Sequence, residues 1–198
     1  MSITIETVAQ ELKVRTEERH KASEALLMPK IAAIAGREDY VAILRMFYGF
    51  FAPLEKVLAA KISHHQLPDI DQRMKSARIL SDISDCTPAG NFPPLSDRLP
   101  PVATTSQAFG AFYVLEGSTL GGRYLCKMLL KEHRQWLTEK SLSFFNGYGE
   151  ETGPKWKIFQ DRLNQEYDRQ SIVDTANQTF CLLEEWIKKT LYYDGTNN

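Results

Sequence analysis

The sequence predicts an all-α protein with a single domain over residues 1–198. Apolar residues recur at helical spacing through almost the whole chain, and no segment has the strict alternation of a half-buried strand. The 198 residues are 43% hydrophobic and 25% charged, which is enough to bury one sizeable core. A cluster of glycines inside one helical pattern is the most informative local feature.

Six helices are expected from the hydrophobic periodicity and its end signals. From the N-terminus they cover residues 6–27, 37–61, 69–84, 106–130, 155–169 and 171–192. A proline-rich stretch at residues 87–94 and a Pro100-Pro101 pair mark a long irregular connection before the fourth helix. Residues 144–154 form another loop, and Pro154 is suited to open the helix that follows.

Three glycines, Gly117, Gly121 and Gly122, lie within two turns of the fourth helix. Each glycine inside a helix costs about 1 kcal/mol relative to alanine, so three of them need a reason. Gly117 and Gly121 are four residues apart and therefore share one face. Because no Cβ atoms cover the backbone there, this face can contact something flat and large, which predicts a planar ligand.

A lone histidine, His20, lies among charged residues of the first helix. Steps of three or four residues place Lys13, Thr16 and Glu24 on the same side of that helix. A neutral imidazole can bind a metal through one ring nitrogen while the other donates to an acceptor, such as a glutamate one turn away. Spacing alone leaves two interpretations open, an axial metal ligand and a solvated surface histidine, and the second is the more common case.

Composition excludes several function classes. The formal net charge is −1 without a basic run, which argues against nucleic acid as the main partner. No apolar window reaches membrane-spanning length and the first residues lack a signal-peptide pattern, so we expect a cytoplasmic protein without a membrane span. Cys86, Cys126 and Cys181 form no CxxC pair and indicate neither a zinc site nor a disulfide framework, and at least two of them are expected to be buried.

The histidine and glycine features occur together, and in the same order, in heme oxygenases, which the chain resembles over residues 8 to 190. The first helix resembles the proximal helix of that family through the pattern Leu12-Lys13-x-x-Thr16-x-x-x-His20-x-x-x-Glu24. The fourth is similar to the glycine-kinked distal helix of bacterial members through Tyr113-Val114-Leu115-Glu116-Gly117-Ser118-x-Leu120-Gly121-Gly122. In the last helix, Ala176-x-x-x-Phe180 is similar to an aromatic wall of the same pocket.

This resemblance implies that heme binds between the two helices. His20 would bind the iron, with Glu24 near its free ring nitrogen, and Lys13 and Tyr113 would contact the heme propionates. Basic residues of the segment 155–162 are further propionate candidates. The residues implied to contact the cofactor are Lys13, Thr16, His20, Glu24, Tyr113, Gly117, Gly121, Gly122 and Phe180.

The resemblance also implies an activity, the cleavage of heme by O2 to biliverdin, iron and carbon monoxide, in which heme is both cofactor and substrate. Gly117, Ser118 and Gly121 would form the catalytic face, because backbone and weakly polar groups can hold water near bound oxygen. Electrons would come from a donor such as a ferredoxin or an NAD(P)H-dependent reductase, since the chain has no GxGxxG fingerprint after a strand.

Ser118 departs from the aspartate that animal and cyanobacterial heme oxygenases have at this position. Its hydroxyl can instead bond back to a carbonyl one turn earlier. Two other functions therefore stay open. One is a non-catalytic heme-binding or heme-transfer protein on the same fold, and the other is an all-α enzyme of the wider superfamily that lacks heme.

Overall fold

The structure, a computed structural model, describes residues 6–87 and 93–193, and in these ranges it contains helices and no strand. The α-helices are α1 (Val8–Arg15), α2 (Glu17–Ala32), α3 (Arg37–Ala59), α4 (Ser76–Cys86), α5 (Thr105–His133), α6 (Ser143–Asn146), α7 (Thr152–Leu163) and α8 (Arg169–Leu191). Short 3-10 helices lie in the connections at Ile70–Arg73, Lys140–Leu142 and Gly149–Glu151. The prediction of an all-α fold is confirmed.

The helix predicted over residues 6–27 is divided into α1 and α2 at Thr16. This residue has φ −110° and ψ 0°, and its hydroxyl donates to the carbonyl of Leu12 over 2.7 Å. A side chain that bonds back to the preceding turn competes with regular helical hydrogen bonding and bends the chain. α2 then continues beyond the predicted end, through Pro29 to Ala32.

The helix predicted over residues 69–84 is also divided, into a 3-10 turn at Ile70–Arg73 and α4. The buried carboxylate of Glu55 accepts hydrogen bonds from the amides of Lys75 and Ser76, at the start of α4. Helix N-termini have free amides and a partial positive charge, so this carboxylate stabilises a new helix start.

The glycine-bearing helix α5 packs along α8, and this pair organises the core. α8 also contacts α1, α2 and α3, while the other side of α5 meets α6 and α7. Gly110 allows the close approach of α5 to α8, because a Cβ at this position would overlap the carbonyl oxygen of Ile172. α5 remains helical through all of its glycines, from Thr105 to His133.

Cys86 and Cys126 are buried, as expected, and Cys181 is partly exposed. Among residues 6–87 and 93–193, none of the helices combines the length and apolar character needed to cross a bilayer.

Candidate functional site

His20 lies on α2 with 54% of its side chain exposed. Its ring meets the buried ring of Phe180 on α8 edge to face, with the ring centroids 5.9 Å apart. Glu24 lies nearby, but its Oε1 is 3.7 Å from Nε2 of His20, which is too long for a direct hydrogen bond. The imidazole is therefore supported by Phe180 on one side and remains accessible to a ligand.

Tyr113 on α5 connects this helix to the junction of α1 and α2. Its ring packs on Trp156 with centroids 5.6 Å apart, and its hydroxyl interacts with the side chain of Thr16. Burial raises the pKa of Tyr113, although the interaction with Thr16 opposes the rise. The phenol therefore stays protonated and can donate a hydrogen bond. Lys13 is exposed one turn before Thr16.

Gly117 and Gly121 form a bare face of α5. A Cβ built on either glycine would meet nothing within 4 Å beyond its own helix backbone and chain neighbours. The neighbouring side chains on this face, Leu120 and Tyr124, are 49% and 69% exposed. Large exposed apolar side chains beside uncovered backbone are typical of a surface that binds a ligand. We name Gly117, Leu120, Gly121 and Tyr124 the glycine face.

The structure gives the third glycine a different environment. Gly122 is buried and turned away from the glycine face, and a Cβ there would overlap the carbonyl oxygen of Phe145. Close packing on the protein therefore explains this glycine without any cofactor contact. Ser118 is exposed and donates its hydroxyl to the carbonyl of Leu115 over 2.7 Å, which is the local back-bond considered as an alternative.

A buried ionic cluster, which sequence reasoning missed, lies behind the glycine face. Its centre is Glu116, which is only 1% exposed. The Glu116 carboxylate accepts hydrogen bonds from Arg73 Nη1 at 2.6 Å, Lys75 Nζ at 2.6 Å and the Tyr148 hydroxyl at 2.7 Å. The one hint in the sequence is an acidic residue directly after the apolar pair Val114-Leu115.

The charges of this cluster are well defined. Burial alone would raise the pKa of Glu116, but the charges of Lys75 and Arg73 hold the pKa below its ordinary value. Burial, together with the neighbouring Glu116 anion, raises the pKa of the Tyr148 phenol far above its usual range. Glu116 is therefore an anion, and Tyr148 is a neutral donor to it.

Lys155, a propionate candidate from the segment 155–162, is already engaged in an extension of this cluster. Its Nζ lies 2.6 Å from Asp69 Oδ2, and the other carboxylate oxygen of Asp69 accepts from Arg73 Nε at 2.7 Å. Lys157 is exposed on the same helix.

The heme oxygenase family model matches residues 94–189. These residues, slightly less than half of the chain, are similar to the heme oxygenase family. The matched range contains the glycine face and Phe180, whereas His20 lies before it, so the assignment of His20 depends on the proximal-helix pattern and on the geometry described above.

Solved structures extend the likeness to nearly the whole chain. The NO- and CO-bound heme oxygenase from Neisseria meningitidis matches with a TM-score of 0.78 and 20% identity, covering 98% of this chain and 96% of that one. Heme oxygenase from Leptospira interrogans matches with a TM-score of 0.73 and 20% identity, covering 93% of this chain and 100% of that one. The predicted heme oxygenase fold is confirmed. No curated protein matches by sequence.

Proposed function

We propose that this protein is a heme oxygenase that binds heme between α2 and α5 and cleaves it to biliverdin, iron and carbon monoxide. The proposal rests on the presence of two features in one molecule. His20 has an accessible imidazole, and α5 has a bare face at Gly117 and Gly121. The family match and the fold support it. We propose a cytoplasmic location, where a ferredoxin or an NAD(P)H-dependent reductase can supply electrons.

The residues present fit a heme, which is a flat apolar ring with a central iron and two anionic propionates. The glycine face is an uncovered surface that a Cβ would partly fill. On the other side, His20 offers a ring nitrogen, and the ring of Phe180 beside it is apolar. Lys13 supplies an exposed cation and Tyr113 a protonated hydroxyl, which suit the two propionates.

Bound heme would supply the iron that activates O2, and the heme ring itself is what is oxidised. His20, as a neutral imidazole, would hold the iron from one side. Gly117 and Gly121 contribute no side chain that could bind a metal, so the space in front of the glycine face would stay open to a small molecule such as O2. The glycine backbone would also let a planar ring lie close to α5, and the exposed side chains of Leu120 and Tyr124 would border it.

Proton delivery would depend on weakly polar groups. The Ser118 hydroxyl donates to Leu115, but its oxygen can still accept a hydrogen bond from water. The carboxyl nearest in sequence, Glu116, is buried, turned away and held as an anion by three donors. Glu116 therefore cannot act as an acid at the glycine face. This suits a reaction that oxidises the heme ring instead of cleaving the O–O bond as peroxidases do.

The proposal is tested by titrating the pure protein with hemin and then adding ascorbate in air. We expect a Soret band that saturates at one hemin per chain and then decays as a bilin absorbance grows. Saturation followed by an unchanged heme spectrum would indicate a heme carrier, and no Soret band at all would indicate a member of the fold without heme.

A further inference from the structure

One short segment, residues 144–149, holds the side of α5 that lies opposite the glycine face. It contacts α5 at Glu116, Thr119 and Gly122, which follow one another at steps of three residues and so share a face. The carbonyl of Phe145 lies against Gly122, and the hydroxyl of Tyr148 donates to Glu116 over 2.7 Å. Between these two contacts, a Cβ built on Gly147 would lie 3.3 Å from Cβ of Thr119.

The segment has its own supports, which do not involve α5. Gly147 and Gly149 have φ of +60° and +58°, in the left-handed region that favours glycine. The carboxylate of Asp82 on α4 accepts from the amide of Phe144 over 2.8 Å, and Arg78 donates to the carbonyl of Gly147. The shape of this turn is therefore defined from α4, so it can act as a rigid support for α5.

The glycine face needs such a support. Nothing packs on Gly117 and Gly121, and glycine is a poor helix former, so the central turns of α5 receive little restraint from that face. The position of these turns must therefore be set by contacts on the opposite side of α5. Among the contacts from behind, the hydrogen bond of Tyr148 to Glu116 directly precedes Gly117 in the chain.

We propose that residues 144–149 form a backstop for α5 and that Tyr148 is a positioning residue for the glycine face. Through Glu116, its hydroxyl holds the backbone of residues 117–121 at the place where the planar ligand rests. Tyr148 does not lie on the glycine face and does not take part in the chemistry. The role toward heme rests on the proposed function, whereas the restraint on α5 does not.

The test is amide hydrogen exchange in the ligand-free protein, comparing wild type with Tyr148→Phe. This variant keeps the ring and loses the hydroxyl that donates to a buried carboxylate. We expect exchange in residues 117–122 to accelerate about tenfold or more while α8 keeps its protection. Tyr167→Phe is the matched control, because Tyr167 is 99% exposed, and it should behave as wild type. Unchanged exchange in residues 117–122 of Tyr148→Phe would overturn the backstop.

A milder variant and a spectroscopic readout complete the test. Thr119→Ser removes only the methyl group near Gly147 and should accelerate the same amides by a smaller factor. With hemin bound, Tyr148→Phe should show a shifted Soret band or an altered ratio of biliverdin isomers, and Tyr167→Phe should show neither. Faster exchange with an unchanged spectrum and isomer ratio would overturn the positioning role. Failure of the wild type to bind hemin would overturn the proposed function. The exchange data would still show whether residues 144–149 restrain α5.

Discussion

The ring of His20 meets the ring of Phe180 edge to face, with 5.9 Å between their centroids. Phe180 belongs to α8, the helix that packs along α5. One helix therefore supports both the histidine of α2 and the helix that carries the glycine face. Through these contacts, the packing of α8 positions two helices that are far apart in sequence.

Replacing His20 with alanine should leave the fold intact, because the side chain is about half exposed. His20→Ala should shift the spectrum of the hemin complex and remove most bilin formation, and added imidazole should restore part of both. His65→Ala, at another exposed histidine, is the control. Identical spectra and bilin yields for wild type and His20→Ala would show that His20 is not the iron ligand.

Alanine at Gly121 and alanine at Gly122 should change the free energy of unfolding in opposite directions. Gly121→Ala places its methyl group in open space, so it should raise the free energy of unfolding by up to about 1 kcal/mol through better helix propensity. Gly122→Ala forces a Cβ against the Phe145 carbonyl, so it should lower the free energy of unfolding by about 1–3 kcal/mol. Urea denaturation of the ligand-free variants measures both. Equal destabilisation by the two substitutions would mean that Gly121 also packs on protein.

A larger side chain at the same open position tests the ligand contact. Gly121→Leu should be tolerated by the ligand-free fold, since nothing lies within 4 Å of the added Cβ. It should weaken hemin binding or change the ratio of biliverdin isomers, because the leucine occupies the space of the ring. The measurements are a hemin titration and chromatography of the product. Wild-type affinity together with a wild-type isomer ratio would exclude heme from this face.

Loss of the Ser118 hydroxyl should have a small effect. A neutral hydroxyl hydrogen bond contributes about 0.5–1.5 kcal/mol, so Ser118→Ala should slow single-turnover bilin formation by about tenfold or less. Water held by backbone carbonyls would then carry the remaining proton transfer. A much larger loss of rate, with hemin affinity unchanged, would instead make the hydroxyl an essential link.

The ionic cluster predicts how stability depends on pH. The folded pKa of Glu116 is lowered, so its contribution to stability is present above about pH 4.3, the ordinary glutamate value, and is lost as the pH falls through the lowered folded value. Glu116→Gln leaves Arg73 and Lys75 without this buried partner, which should cost about 3–5 kcal/mol at neutral pH. Urea unfolding at about pH 3 to about pH 7 should therefore show a free energy of unfolding that depends less on pH in the variant than in the wild type. If the profiles of the variant and the wild type run parallel, Glu116 has the same pKa in the folded and unfolded states.

Local patterns in the sequence were sufficient to predict the helical fold and the bare face at Gly117 and Gly121. The break at Thr16 was missed because it depends on a side chain that bonds to its own preceding turn. A pattern of apolar residues does not record such a bond.

Features that depend on contacts between distant segments could not be predicted. Glu116 is held by Arg73, Lys75 and Tyr148, and Gly122 meets the carbonyl of Phe145, which lies in a different segment of the chain. Glycine spacing alone does not distinguish a glycine that faces a ligand from one that packs on backbone. Tertiary contacts make that distinction.

The most direct test of the proposed heme oxygenase function is the product balance of a single turnover. The protein loaded with one hemin per chain is reduced with ascorbate in air, in the presence of catalase, which removes free hydrogen peroxide. Biliverdin is measured by chromatography, and carbon monoxide by its binding to reduced myoglobin. We expect biliverdin and carbon monoxide in equal amounts, and we expect His20→Ala to form neither product. A wild-type protein that keeps its hemin intact, or destroys it without carbon monoxide, would contradict the oxygenase function.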